Sequence, residues 1–341
     1  MIVEKLAGLF CRLYPAYRIL KVEEMPRTLT IHNFYPRGRP ESVQLEQFAA
    51  QVALASDRRL AVIVEHANRL GLDDADGLEW LAQGNADLAI LWPVYLQRKI
   101  PELQASYIMG SARNLRDHMS ALPVLESIDR QILSERGLVS IATLPSPVLY
   151  ISIFSSGQPV TSLETLYGRR LRVFSQDLEP TFRRLGADAN FIPQGELYAA
   201  FEAGRFDCTV YPACHTAWSV PLWRVTQHAA YLFPEALHPY LLCCAPQTWA
   251  SLNETDRVAL EEAAQSVYPA FLRHSLDDTA ELAARRNLQA AGMTWHSNFS
   301  ASDQGRFAAS AARTWQDLAE QAGGRAPGNF RDLMAAMRRP V

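Results

Sequence analysis

An arginine inside an otherwise apolar strand needs a reason to be there. Residues 168–173, Gly-Arg-Arg-Leu-Arg-Val, hold one at Arg172. A guanidinium is a planar fork of donors that pairs two-pronged with a carboxylate. At the C-terminal edge of a strand it would face the crevice in which open α/β sheets bind ligands. The chemistry on offer is anion capture rather than bond-making. A surface salt bridge is the ordinary alternative for such a residue, and periodicity alone favours it. The neighbouring Arg169 and Arg170 read as solvated.

Catalytic templates are missing. There is no Gly-rich phosphate loop, no nucleophile elbow and no Cys-x-x-Cys pair. Cys208, Cys214 and His215 fit no common zinc spacing, and structural roles are favoured for them, so no metal is expected. The eight histidines are scattered, with no pair at helical i,i+4 spacing. No cofactor and no catalytic residue is assigned. An enzyme would need a general base beside Arg172, for which Glu196 and Asp207 are the candidates.

The elements that position Arg172 follow an α/β order. Residues 28–34 alternate like a strand, and 41–56 carry Leu45, Phe48, Ala49 and Val52 on one helical face. Residues 59–65 and 88–92 read as strands, the second apolar throughout as expected of one buried on both faces. A short helix over 77–83 lies between them. A helix over 123–136 precedes strands at 138–143 and 148–154. The small residues 155–157 mark a crossing between domains. Strand, helix, Gly, strand then recurs through 170–174, 179–185, 190–192, 196–203 and 207–210, which implies parallel or mixed sheets wrapped by helices. Residues 239–245 return as a strand toward the first lobe. Asn253 caps a long helical pattern to about residue 287, inside which Pro269 should kink or break it. A short strand over 293–296 and helices over 302–322 and 329–337 complete the chain.

The chain has 341 residues, 48% hydrophobic and 20% charged, with net charge -3. That is room for two domains and argues against nucleic acid as a partner. No apolar run is long enough to span a bilayer. Residues 1–20 carry four charges and read as a short amphipathic helix rather than a secretory signal. The five cysteines include an adjacent pair, Cys243–Cys244, which suggests core thiols rather than a disulfide framework.

Around Arg172 the sequence resembles a known family, the solute-binding proteins of tripartite ATP-independent periplasmic (TRAP) transporters of C4-dicarboxylate-binding type. Their pattern runs Lys-Gly-Leu-Lys-Ile-Arg-Val, then Leu-Gly-Ala, then Pro-x-x-Glu-x-Tyr-x-Ala-Leu-x-x-Gly-x-x-Asp-Gly. Here Gly168-Arg-Arg-Leu-Arg-Val is followed by Leu185-Gly-Ala and Pro193-Gln-Gly-Glu-Leu-Tyr-Ala-Ala-Phe-Glu-Ala-Gly-Arg-Phe-Asp207-Cys. Thr30-Ile-His-Asn33 resembles the opening strand with its ligand-side Asn. Leu81-Ala-Gln-Gly-Asn-Ala-Asp-Leu-Ala-Ile90 resembles the second-strand signature, and Trp249-Ala-Ser-Leu-Asn-Glu-Thr-Asp the start of the long connecting helix. The blocks occur in the family's order from about residue 28 to the C-terminus.

The resemblance implies a two-lobed periplasmic-binding-protein (flytrap) fold with a long connecting helix. Residues 1–27 would be an extension. Residues 28–154 would form lobe I with returning pieces 239–260 and 300–341, and residues 155–238 lobe II with part of 261–299. Arg172 would grip the ligand carboxylate, with Asn33 and Trp92 from one lobe and Ser175, Gln194 and Tyr211 from the other. Membrane subunits would accept the loaded form, and a homodimer through the C-terminal helices is open. Glu196 and Asp207 look structural in this pattern. Three departures reshape the pocket. Thr209-Val-Tyr211-Pro212 stands where many members carry Gln-Glu-Asn-Pro, Trp92 replaces a polar residue, and Ser152 falls where a second Arg is common. Rings at Trp92 and Tyr211, with Phe174 and Trp218 as further wall, suggest a monocarboxylate with an apolar or aromatic body. The resemblance places the protein in the periplasm. A cytoplasmic carboxylate sensor or scavenger on the same fold is the alternative, on the thiols and the N-terminal sequence.

Overall fold

The structure, a computed structural model, describes residues 25–338 except 74–75, 97–98, 107, 147–148, 213 and 237–238. The helix expected over residues 1–20 and Cys11 lie outside the described residues. Eleven strands form two sheets among the described residues. They are β1 (Arg27–His32), β2 (Leu60–Glu65), β3 (Leu88–Leu91), β4 (Val139–Leu144), β5 (Leu149–Ser155), β6 (Arg170–Val173), β7 (Asp188–Phe191), β8 (Cys208–Tyr211), β9 (His228–Ala236), β10 (Tyr240–Cys244) and β11 (Thr294–Trp295).

The first sheet runs β2-β1-β3-β10-β4. β1 is parallel to β2 and β3, and β10 lies antiparallel between β3 and β4, so the chain does return here. All four residues of β3 are buried, as a central strand covered on both faces requires. On one face Leu29, Ile31, Leu45, Phe48 and Val52 form a core under helix Pro40–Ala55. On the other, Ala89 and Leu91 meet Leu81, Leu96, Leu125, Trp315 and Leu333. Cys243 and Cys244 are both fully buried, and both are free thiols.

The second sheet runs β11-β9-β5-β8-β6-β7. β5 pairs antiparallel with both β8 and β9. The passage between sheets therefore falls before residue 149, not at 155–157, and β5 belongs to the second sheet. The small residues after β5 simply end a strand that is already across. β9 was not expected as a strand.

Helix ends also moved. The helix expected to open at Pro123 begins at Leu115, where the Asn114 side chain accepts a hydrogen bond from the Asp117 amide. Asn253 caps as expected, accepting from Asp256 N at 2.8 Å. The helix Glu254–Leu276 then continues past Pro269 without a break. Proline removes one N–H from the ladder but does not oblige the backbone to leave it. The break comes instead at Asp277, which is extended (φ -119, ψ 117). A second helix, Thr279–Ala290, follows. The first packs on helix Pro40–Ala55 and β4, the second on helix Cys214–Ser219. The connection between the halves is thus a jointed pair of helices.

Helix Ala301–Ala322 touches both halves. Trp315 Nε1 donates to Ala105 O at 2.8 Å, while Ser310 Oγ donates to Thr181 O at 2.7 Å. Helix Ala326–Arg338 packs on Leu115–Ser134. The inner faces of both C-terminal helices are committed within the chain, through Phe307, Trp315, Leu333 and Met337.

Candidate ligand site

Arg172 sits on β6 between Asn190 of β7 and Thr209 of β8. Its neighbours in the sheet bury it to 1% exposure. Nε donates to Ile192 O at 2.9 Å. Nη1 is buried without a hydrogen-bond partner, and no carboxylate forms an ion pair with this guanidinium among the described residues. Burial pulls its pKa below the ordinary value, against the opposing pull of Tyr211 and Tyr95. A surface salt bridge is therefore wrong for Arg172. It is right next door, where Arg170 pairs with Asp207 at 2.5 Å on the exposed side. Asp207 is structural.

The guanidinium lies 5.8 Å from the centre of the Tyr211 ring. Tyr211 ends β8 and is buried, and its hydroxyl hydrogen-bonds Gln194 Oε1. Burial pushes the Tyr211 pKa up to about 12, so the hydroxyl keeps its proton. Trp92 follows β3 in the first sheet. Its ring stacks on Phe174, which follows β6 in the second, at 6.0 Å and 14°. Tyr95 meets Trp92 edge-on at 5.3 Å, and Tyr240 lies 6.4 Å away. Arg172, Tyr211, Gln194, Trp92 and Phe174 thus come together where the two sheets face each other.

Three expected residues are engaged elsewhere. Asn33 Nδ2, with two hydrogens to share, lies within hydrogen-bond range of Tyr35 O, Ser42 Oγ and His66 Nδ1 at 3.2, 2.9 and 3.0 Å, and Oδ1 accepts from the Tyr35 amide. It staples the loop after β1. Ser152 lies opposite Tyr211 in the sheet but donates to Tyr150 O at 3.0 Å. Ser175 hydrogen-bonds the Asp177 carboxylate, whose pKa burial pushes up to about 6. Trp218 is 37% exposed and stacks on Trp223, so it is no part of this wall.

The sequence reading missed a second guanidinium. Arg39, at the start of helix Pro40–Ala55, is 8% exposed. It grips Glu41 through Nη2–Oε1 at 2.5 Å and Nε–Oε2 at 3.2 Å. It lies over the Tyr35 ring at 4.0 Å and reaches Thr216 Oγ1 of the second half at 3.5 Å. Tyr240 donates its hydroxyl to Glu41 Oε1 at 3.1 Å. Burial works against both charges, but each holds the other ionised: Glu41 falls to about 2 and Arg39 rises. An Arg-Pro-Glu run at a helix start looks like solvated capping charge. Its burial comes from Tyr240 and Thr216, far away in sequence.

His215, once a conceivable ligand of metal, is tied to Glu281 through Nδ1 at 3.2 Å, and the Cys214 and His215 amides also donate to that carboxylate.

A buried guanidinium without a counter-ion among the described residues thus lies beside rings from both sheets. The profile of bacterial extracellular solute-binding protein family 7 (DctP) matches residues 32–322, and the chain belongs to that family. These are solute-binding proteins of TRAP transporters, not enzymes. A solute-binding protein of Chromohalobacter salexigens is 26% identical over 246 residues, 68% of each chain. Solved structures show the same two-lobed fold. A marine-metagenome TRAP protein in complex with pyroglutamate superposes with TM-score 0.78 at 16% identity, covering 92% of this chain and 99% of that one. A C. salexigens TRAP protein with bound D-glucuronate gives 0.77 at 20% identity, covering 90% and 99%. One from Sulfurospirillum deleyianum with bound succinate gives 0.78 at 18%, covering 91% and 98%.

Proposed function

We propose that this chain is the extracytoplasmic receptor of a TRAP-type secondary transporter. It holds a small organic monocarboxylate between its two halves, with Arg172 as the anchor. The observation that carries this reading is the buried guanidinium whose Nη1 has no partner among the described residues. An uncompensated buried charge is costly, so a fold that keeps one has a use for it. A carboxylate is the natural complement of its planar fork. The halves follow the sheets: β1–β4 with β10 in one, β5–β9 with β11 in the other. Trp92, Phe174, Tyr95 and Tyr211 supply rings around the anchor, which suits an apolar or aromatic body. Tyr211, whose ring centre lies 5.8 Å from the guanidinium, and Gln194, bonded to its hydroxyl, are proposed as further polar partners.

Closure is ligand-driven here because the anchor stands in one half and Trp92 in the other, so a ligand touching both favours the closed form. The working place is the periplasm, and the loaded form is handed to membrane subunits. A homodimer through the C-terminal helices would have to use their outer faces. The test is a thermal-shift screen of organic acids against the wild type and Arg172→Ala. Hits lost together in the variant support the anchor. Hits that survive it, or a wild type that favours succinate over aryl and 2-oxo monocarboxylates, remove the reading.

A further inference from the structure

The Arg39–Glu41 pair stands at the other end of the ring cluster from Arg172. Tyr240 bridges the two ends, bonded to Glu41 at 3.1 Å and 6.4 Å from the Trp92 ring. Tyr211 lies in the electrostatic reach of both arginines. The two guanidinia differ in one decisive respect. Arg172 has no built-in anion among the described residues, and Arg39 has one held by two hydrogen bonds.

We propose that the Arg39–Glu41 pair is a second recognition element, which selects the far end of the ligand by charge. It selects a neutral group that both donates and accepts, such as a primary amide or hydroxyl, and it rejects a second carboxylate. The inference rests on Arg172 being the carboxylate anchor.

The argument is one of charge balance. A carboxylate arriving at an unpaired guanidinium gains a counter-ion. Arriving at a pair already neutralised, it gains a shared partner and meets the charge of Glu41, after losing its own hydration. An amide meets no repulsion. Its N–H can donate to a Glu41 oxygen while its carbonyl accepts from Arg39 Nη1, the nitrogen not used toward Glu41 or Thr216. Glu41 stays ionised for this task, held at about 2 by Arg39 despite burial. The pair also faces the second half, since Arg39 Nη2 lies 3.5 Å from Thr216 Oγ1. A ligand seated on it therefore completes a contact between the halves at a point remote from the anchor. The missing second arginine at Ser152 is thus not made good by Arg39, because Arg39 carries its own neutraliser.

Isosteric acids test this by calorimetric titration: succinamate against succinate, and 4-carbamoylbenzoate against terephthalate. In the wild type the amide member of at least one set should bind about tenfold tighter or more, as charge exclusion at a buried site provides. Glu41→Gln unmasks Arg39 and should narrow or invert that ratio. Arg39→Gln leaves Glu41 alone and should widen it at pH 8. The wild-type ratio needs no variant and stands even where Glu41→Gln fails to fold. Equal binding or a dicarboxylate preference in the wild type overturns the inference, as does a folded Glu41→Gln with an unchanged ratio. A wild type that binds none of the four acids overturns it too. Arg172→Ala separates the two readings: loss of all binding there with an unchanged ratio in Glu41→Gln removes only the selector, while retained binding removes the anchor itself.

Discussion

Arg172→Met replaces the guanidinium with an uncharged chain of similar reach, and its effect on the unliganded protein is the sharpest test of the anchor. A buried charge left without its partner is worth about 3–5 kcal/mol of destabilisation. The variant removes that burden. It also loses the hydrogen bond from Nε to Ile192 O, about 1.5–3 kcal/mol for a bond to a charged group. The difference leaves the empty variant more stable by about 1–3 kcal/mol. At about 2–4 °C per kcal/mol for large domains, it should melt roughly 2–12 °C above the wild type. Ligand binding moves the other way. Loss of a charge-assisted two-pronged pair, about 3–5 kcal/mol, weakens a carboxylate by about 10²- to 10⁴-fold at 1.4 kcal/mol per decade. Differential scanning calorimetry of exhaustively dialysed protein, with and without the best acid from the screen, reads both effects. A structural arginine behaves oppositely. A variant that melts below the empty wild type, or keeps the ligand-induced shift, refutes the reasoning.

Two stability predictions follow from sites outside the cluster. Asp129 is buried with neither oxygen hydrogen-bonded among the described residues, and burial, helped by Glu126, pushes its pKa well above the ordinary value. The folded state thus keeps a proton that the unfolded chain releases near pH 4, so the associated stability is full below about pH 4 and lost as pH rises through the folded pKa. Asp129→Asn should melt above the wild type by a margin that grows between pH 5 and pH 8, and a constant margin refutes the assignment. Gly110 has φ +84, and a Cβ there would lie 2.4 Å from the ring of the fully buried Phe307. Gly110→Ala should cost about 2–4 kcal/mol from overpacking and left-handed backbone together. Gly186→Ala meets the ring of Tyr167, which is 74% exposed and can swing away, so it should cost less. Equal melting losses for the two would show the packing argument to be mistaken.

Much of the strand and helix order was legible because each element buries one face and so writes its period into the sequence. β1, β3, β6 and β8 were expected within a residue or two of where they lie. Position along the chain says less about sheet membership. β5 looked like the end of the first lobe, yet its partners β8 and β9 come later in sequence, and β9 carries Pro234 and mixed polarity that hide a strand. Prolines misled twice, at Pro123 and Pro269, because a missing N–H is a local cost that packing of the rest of the helix outweighs. In the site, Arg172 was legible as a charge in an apolar strand. Asn33, Ser152 and Ser175 looked like free donors, whereas their partners Ser42, Tyr150 and Asp177 can be assigned only once the loops are folded. The Arg39–Glu41 pair was invisible for the same reason: its environment is assembled by Tyr240 and Thr216.

Helix Ala301–Ala322 is fastened to Ala105 on one side and to Thr181 on the other. Thr181 Oγ1 also bonds Thr314 Oγ1 at 2.9 Å, and Arg184 holds Thr314 and Asp317 of the same helix. A rod bolted to two bodies resists their sliding apart and leaves rotation about itself as the soft movement. Such a swing would act like a door on its post. Among the contacts it would part are the Trp92–Phe174 stack and the reach of Arg39 to Thr216. On the proposed function, a ligand that touches both Arg172 and Trp92 would add its own contacts to the shut position alone, and so shift the balance toward it.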